Sequence, residues 1–239
     1  MKKIINHLKE NWIRHGFETL YVIIGILIAF SLNDWNEKRK ARITEISILN
    51  ELIIGLSSDS DNLDFNIAKH NQAIKSCEIV LKALHEFEEY NDSLAYHFAA
   101  VHYYTTFASN RGAYESLKSM GFESISNKSL RIKIINLYDR LHSVLQANQK
   151  YLTDDIHDLK RKFHQDHFDK FLLFSLEPPH YAGEMIPVDF KQLKTNQQYR
   201  YHISTLHGSH TIFSAVNSMV HREVENVKIL CQKEVKRLE

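Results

Sequence analysis

"FETLYVIIGILIAFSLNDWNEKRK", Phe17 to Lys40, decides how the rest of this chain is read: as a membrane stem or as the core helix of a soluble bundle. From Phe17 to Leu32 only Glu18, Thr19, Gly25 and Ser31 interrupt the apolar residues. Sixteen helical residues span roughly 24 Å, a little less than the ~30 Å hydrocarbon core of a bilayer. The flanks supply the remainder. Trp12 and Trp35 stand 23 positions apart, about 35 Å along a helix, which is close to the separation of the two interfacial aromatic belts. Lys9 and Arg14 precede the run, and Lys38, Arg39, Lys40 and Arg42 follow it, long enough to snorkel toward headgroups. A helix buried in a soluble bundle keeps a polar face within every two turns, and Tyr21 to Phe30 has none. A cleavable leader needs a small-residue cleavage site, and the segment instead runs straight into a charged, helix-forming stretch. The stretch is therefore predicted to be a retained transmembrane helix. Gly25 and Ala29 form a small-xxx-small pair that would let a second helix approach. Glu18, in the first turn, is expected at the interface. Four Lys/Arg precede the span and four follow it closely, so the positive-inside rule gives no orientation.

Working outward, the chain divides into a short basic tail (1–16), the span (17–34) and an extramembrane domain (35–239). Seven Gly and three Pro in 239 residues are too few for the many turns of a strand-rich fold. The expected fold class is all-α: one transmembrane helix continuing into a long-helix antiparallel bundle of about four helices with coiled-coil-like packing. Ile46, Leu49, Ile53, Leu56, Ser60, Leu63, Ile67, His70, Ile74, Cys77, Leu81 and Leu84 alternate steps of three and four. This heptad seam predicts a single helix continuous with the span, serving either as bundle core or as an oligomer interface. Gly55 could mark a bend in it. A second helix is expected after an Asn91-Asp92 cap, a short one over "AYESLKSMG" ending at Gly121, and a third long one capped by Ser126 or Asn127. That third helix, with a stripe from Leu130 to Phe163, is predicted to run to about Ser175. "EPPHYAGEMIPVDF" holds all three prolines and reads as a non-helical connector, about 177–189. A final helix carries Tyr199, Ile203, Leu206, His210, Phe213, Asn217, Val220, Val224, Val227, Cys231 and Leu238 at three-four spacing.

Composition narrows the function. Thirty basic against 29 acidic residues leave a charge of +1, which offers nucleic acid no electrostatic attraction. Cys77 and Cys231 form no CxxC pair; a disulfide between them is one option. The densest ionisable cluster is "TDDIHDLKRKFHQDHFDK". Asp154, His157 and His164 are its nearest approach to a metal site, but a di-metal bundle site needs Glu-x-x-His elements that are missing here. No metal or cofactor is expected, and the cluster reads as a solvated charged face. Without a G-x-S-x-G elbow, Walker loop or H-E-x-x-H, nothing asks for an enzyme.

Glu18, the run Ile24 to Ala29, and Asn33, Trp35, Asn36 and Glu37 together resemble the N-terminal signature of an uncharacterised family of membrane-anchored bacterial proteins common among Bacteroidota. Asp34 stands where that signature usually has Asn. "AYESLKSMGFESISNKSLRIKIINLYD" resembles the family's second recurring stretch. The resemblance implies a single-pass protein of the bacterial inner membrane with a helical extramembrane domain, and no activity. The expected role is that of an interaction scaffold or accessory subunit, self-associating or bound to other membrane or envelope proteins. The expected interaction seam is Ile46, Leu49, Ile53, Leu56, Leu63 and Ile67. A ligand sensor signalling through a partner and a metal-dependent enzyme using the His/Asp cluster are the alternatives.

Overall fold

No proline precedes Pro178, and the computed structural model shows what that permits: α1 runs unbroken from Lys2–Glu86, about 130 Å at helical rise. The structure describes residues 2–171 and 183–239, with side chains described from Gly16 onward except at 159, 160, 164, 165, 170 and 171. Two short helices follow, α2 (Leu94–Ala100) and α3 (Gly112–Met120), joined by an irregular segment. Gly121, at φ +95°, takes the left-handed conformation that ends α3. Asn127 caps the third long run, its side chain accepting from Leu130 N–H. That run comprises α4 (Lys128–Ile135), a widened turn at Asn136–Leu141, α5 (His142–Leu159), a second widened turn at Lys160–His164, and α6 (Gln165–His167).

The third run stops short of the predicted Ser175. Phe168–Phe171 leaves the helix as β1 and pairs antiparallel with β2, Met185–Pro187. Phe168 is buried and Asp169 exposed, as successive side chains of a strand point to opposite faces. Pro187 ends the three-residue edge strand, where its missing N–H costs nothing. The expected connector thus contains a strand, and its part before Gly183 lies outside the described residues. α7 (Phe190–Thr195), capped by Asp189, and α8 (Gln197–Leu238), capped by Asn196, complete the chain.

α8 returns antiparallel along α1: Glu78 meets His207, Asn71 meets Ser214, and Ser60 meets His221 and Glu225. The α4–α5 run packs against α8, α2 and α3 pack against α1, and the bundle is nearly all-α. Its core forms two clusters. One contains Leu49, Leu52, Leu56, Leu63, Tyr138, Val224 and Leu238. The second, at the far end, contains Cys77, Val80, Leu84, Phe98, Tyr199 and Phe213. Cys77 and Cys231 are free, buried, and in different clusters.

The predicted seam is rotated. Leu49, Leu56, Leu63, His70, Cys77 and Leu84 are buried, whereas Ile46, Ile53 and Ile67 are only half-buried. The other buried row is Glu45, Leu52, Asp59, Asn66, Ala73 and Val80, at strict seven-residue spacing. Helices pack on two sides of α1, so its buried stripe is broader than one heptad seam and centred off it. Gly55 marks a close approach: a Cβ there would meet the Asn110 carbonyl oxygen at 3.4 Å.

Candidate functional site

Three regions hold chemistry beyond ordinary packing: the bare N-terminal part of α1, the polar middle of the bundle, and a groove at its far end. Every described residue from Gly16 to Thr44 is exposed. Tyr21 is 72% and Phe30 69% exposed, and the most apolar window of α1 has none of its surface buried. Among the described residues this is the one helix long and apolar enough to cross a membrane. Nothing approaches within 4 Å of a Cβ placed on Gly25, and Ala29 and Glu18 are likewise exposed. At the exit Trp35 carries the Arg39 guanidinium 5.9 Å above its ring, and Asp34–Lys38 and Glu37–Lys40 pair along the helix. The side chain of Trp12 lies outside the described residues.

The two apolar clusters are divided by a polar waist. On α1 it lies between Leu63 and Cys77; on α8 it takes in His210, between Leu206 and Phe213 of the second cluster, and Asn217, between Phe213 and Val220. Asn66, His70, His210 and Asn217 are buried here, none more than 2% exposed. His70 Nδ1 lies 3.1 Å from His210 Nδ1, and His210 Nε2 lies 3.1 Å from the Val101 carbonyl. That carbonyl can only accept, so His210 carries its proton on Nε2 and its Nδ1 accepts from His70 Nδ1–H. Both rings are bonded in this way while neutral. Burial, then the neighbouring ring, holds His70 down to about 3; burial above all lowers His210 to about 4. Asn66 Oδ1 and Asn217 Oδ1 are buried with no protein partner.

Beside the waist, Asp59 is fully buried. Its Oδ1 accepts the Asn110 N–H at 2.6 Å and its Oδ2 accepts Ser109 Oγ–H at 3.3 Å. Ser109 Oγ also lies 2.8 Å from His142 Nδ1. Burial raises the Asp59 carboxyl against these hydrogen bonds; burial, then Arg111, lowers His142 to about 4. The chemistry is that of a clamp. In a nucleophilic triad the imidazole sits between hydroxyl and carboxylate, whereas here the hydroxyl sits between and donates to the acid. The widened turn frees the Tyr138 carbonyl to accept Arg111 Nη1 at 3.0 Å. That guanidinium covers the stacked rings of Tyr114 and Tyr138, 4.5 Å apart.

At the far end Lys162, Gln197, Gln198, Tyr201 and His202 line a groove of about 520 Å³. An adjoining cleft of about 220 Å³ adds Asp155, Asp158 and Thr205. Asp154 and His157 are exposed, and His157 meets only the edge of the Tyr104 ring among the aromatic contacts described. Among the described residues no group of three His, Cys, Asp or Glu is placed to share a metal ion; the His164 side chain lies outside them. Sequence reasoning missed Asp59, Ser109 and His142. The available signal was the seven-residue row through Leu52, Asp59, Asn66 and Ala73, which its polar members disguise as a solvent face.

Residues 18–175, about two-thirds of the chain, match a family described as "Family of unknown function (DUF6090)". The match covers the apolar window, the rest of α1 and the elements through β1. No curated protein and no solved structure gives a significant match.

Proposed function

The chain belongs to the DUF6090 family, and for it we propose a single-pass membrane protein of the bacterial inner membrane whose helical bundle acts as an interaction scaffold or accessory subunit. One observation carries this reading: the apolar window is wholly uncovered by the fold, yet lies on the same unbroken helix that forms the core of the bundle. Leaving so many large apolar side chains in water costs about 25 cal/mol per Å², and a bilayer removes that cost. From Leu32 to Glu86 the helix rises about 80 Å, so the bundle would hold its far groove well clear of the headgroups. Leu49, Leu56 and Leu63 are used within the protein's own core. Self-association would therefore run through the Gly25/Ala29 face of the span. The role is binding and not catalysis, in keeping with the clamp geometry of Ser109.

Alkaline carbonate extraction of membranes tests the anchor: retention in the pellet is expected, and release into the supernatant refutes it. Light scattering in mild detergent tests self-association. Dimers weakened by Gly25→Leu are expected, and a strict monomer refutes that part while leaving the anchor. A second reading, a sensor that signals through a partner's membrane helix, is favoured by the buried polar waist, because a two-state element in the bundle needs an interior that is not uniformly apolar.

A further inference from the structure

We propose that the waist is a proton-responsive joint: acidification parts α1 from α8 at His70 and His210, while the apolar clusters on either side stay packed. The hydrogen-bond logic leads there directly. His210 Nδ1 is an acceptor only because Nε2 holds the proton toward Val101. One added proton is accommodated, because His70 in its Nε2–H tautomer accepts from His210 Nδ1–H; a proton on each ring places N–H against N–H across a 3.1 Å contact, turning a bond into a repulsion. Neither ring is bonded to a carboxylate among the described residues, and Phe213 covers His70 at 5.6 Å between centroids. A charge created here is therefore buried and uncompensated, which the fold relieves by opening.

The surroundings reinforce this. From α1, Asp64 and Glu78 are the nearest acids, and they face His221 and His207 at the solvent edge; Lys69 lies over Tyr103 and Phe65. On α8, His207 is the further titratable group and adds to the repulsion on His210. From α2 and its end come His97, bonded to Ser76, and the buried His102. α5 contributes Asp155, which accepts from Ser209. The acids of these elements are thus engaged elsewhere. Asn66 Oδ1 and Asn217 Oδ1, already without protein partners, give the layer little to lose on opening. Tight apolar packing resumes at Leu63 and Val220 on one side and at Cys77 and Leu206 on the other, so a local opening has defined ends.

The joint does not depend on the membrane reading. The experiment is amide hydrogen exchange by mass spectrometry on the full chain in detergent, near pH 7.5 and near pH 5, corrected for intrinsic rates. An imidazole that titrates at ~6.5 when opened, and far lower when closed, makes opening about 30-fold easier at ~1.5 pH units below 6.5. Two such rings give roughly a thousandfold loss of protection at pH 5. The loss is expected over 64–76 and 207–217, with residues 48–56 and 224–235 in one cluster and 77–84 and 199–206 in the other changing far less. His70→Gln with His210→Gln, which keeps hydrogen-bonding groups but no titration, should abolish the pH dependence of the waist. Equal loss in both clusters, no loss, or full retention of the effect in the double variant overturns the proposal. Where the double variant does not fold, histidine ring nitrogen shifts of the unaltered chain decide. Rings protonated only in the exchanging state support the joint, and rings protonated while the waist stays protected overturn it.

Discussion

Leu52 and Ile53 are adjacent, lose the same three carbons on truncation to Ala, and should respond very differently. Leu52 is fully buried, and Ile53 is half-buried at the edge of the same cluster. At about 0.8 kcal/mol per buried methylene, three carbons amount to ~2.4 kcal/mol when fully buried. The cavity left at Leu52 raises its cost to about 3–4 kcal/mol. Half-burial reduces Ile53→Ala to about 1.2 kcal/mol, and Ala's larger helix-propensity advantage over Ile than over Leu lowers it by a few tenths more. Urea titration of the chain in detergent, followed by circular dichroism, reads the difference. With a slope of ~2 kcal/mol/M, Leu52→Ala should bring the midpoint down by at least about 1 M more than Ile53→Ala. The slopes themselves should match, which checks that both variants unfold between the same states. An Ile53→Ala cost equal to or above that of Leu52→Ala would refute the rotated stripe and restore the seam read from the sequence.

Other substitutions probe the polar positions. Asn66→Leu removes a buried oxygen without a protein partner and should leave stability unchanged or raise it by up to about 1 kcal/mol in the same titration. Asp59→Ala strands the Asn110 N–H and Ser109 O–H, costing about 3 kcal/mol, whereas Asp59→Asn keeps an acceptor and should cost clearly less. His142, held down to about 4 in the fold, binds protons only in the unfolded chain as pH falls from about 6.5. Its neutral form therefore costs no stability above that pH, and acidification to pH 5 should remove about 2 kcal/mol. His142→Gln should remove that share of the acid sensitivity, measured as the shift in urea midpoint between the two pH values. Gly55→Leu drives a side chain into the Asn110 carbonyl and should destabilise by about 2 kcal/mol, in contrast to the stabilisation propensity alone would give.

The sequence was most legible where a helix meets its neighbours along one face. α8 buries every residue of its predicted stripe, His210 and Asn217 included, because apolar residues dominate that face and three-four spacing leaves one reading. α1 was legible as a helix but only in part as a surface, since Glu45, Asp59 and Asn66 occupy buried positions that residue type assigns to water. The β1 strand was hidden by four residues of "FDKF" in which the helical and alternating periods both fit. Its partner strand lies beyond residues 172–182, too distant for any local pattern to announce the pairing. The Ser109–His142 contact was invisible because it joins an irregular segment to a helix 33 residues on, and no periodicity governs such a crossing.

The buried acids of α1 share a physical reason. Glu45 accepts the Ser126 N–H and hydroxyl at 2.8 and 3.0 Å, where the chain passes between the short α3 turn and α4. Asp59 accepts the Asn110 N–H, and between them in purpose Asn62 takes the Ala108 N–H at 3.3 Å, where the segment from α2 to α3 passes over Gly55. Each non-helical crossing brings backbone donors against a helix whose own carbonyls are already used, so an acceptor must come from a side chain. Glu45 and Asp59 in the seven-residue row are therefore docking points for loops and not lapses in an apolar seam. One helix thus carries an uncovered apolar stretch, two acid sites that fasten the loops, and the histidine that meets α8. No break in the backbone separates the three.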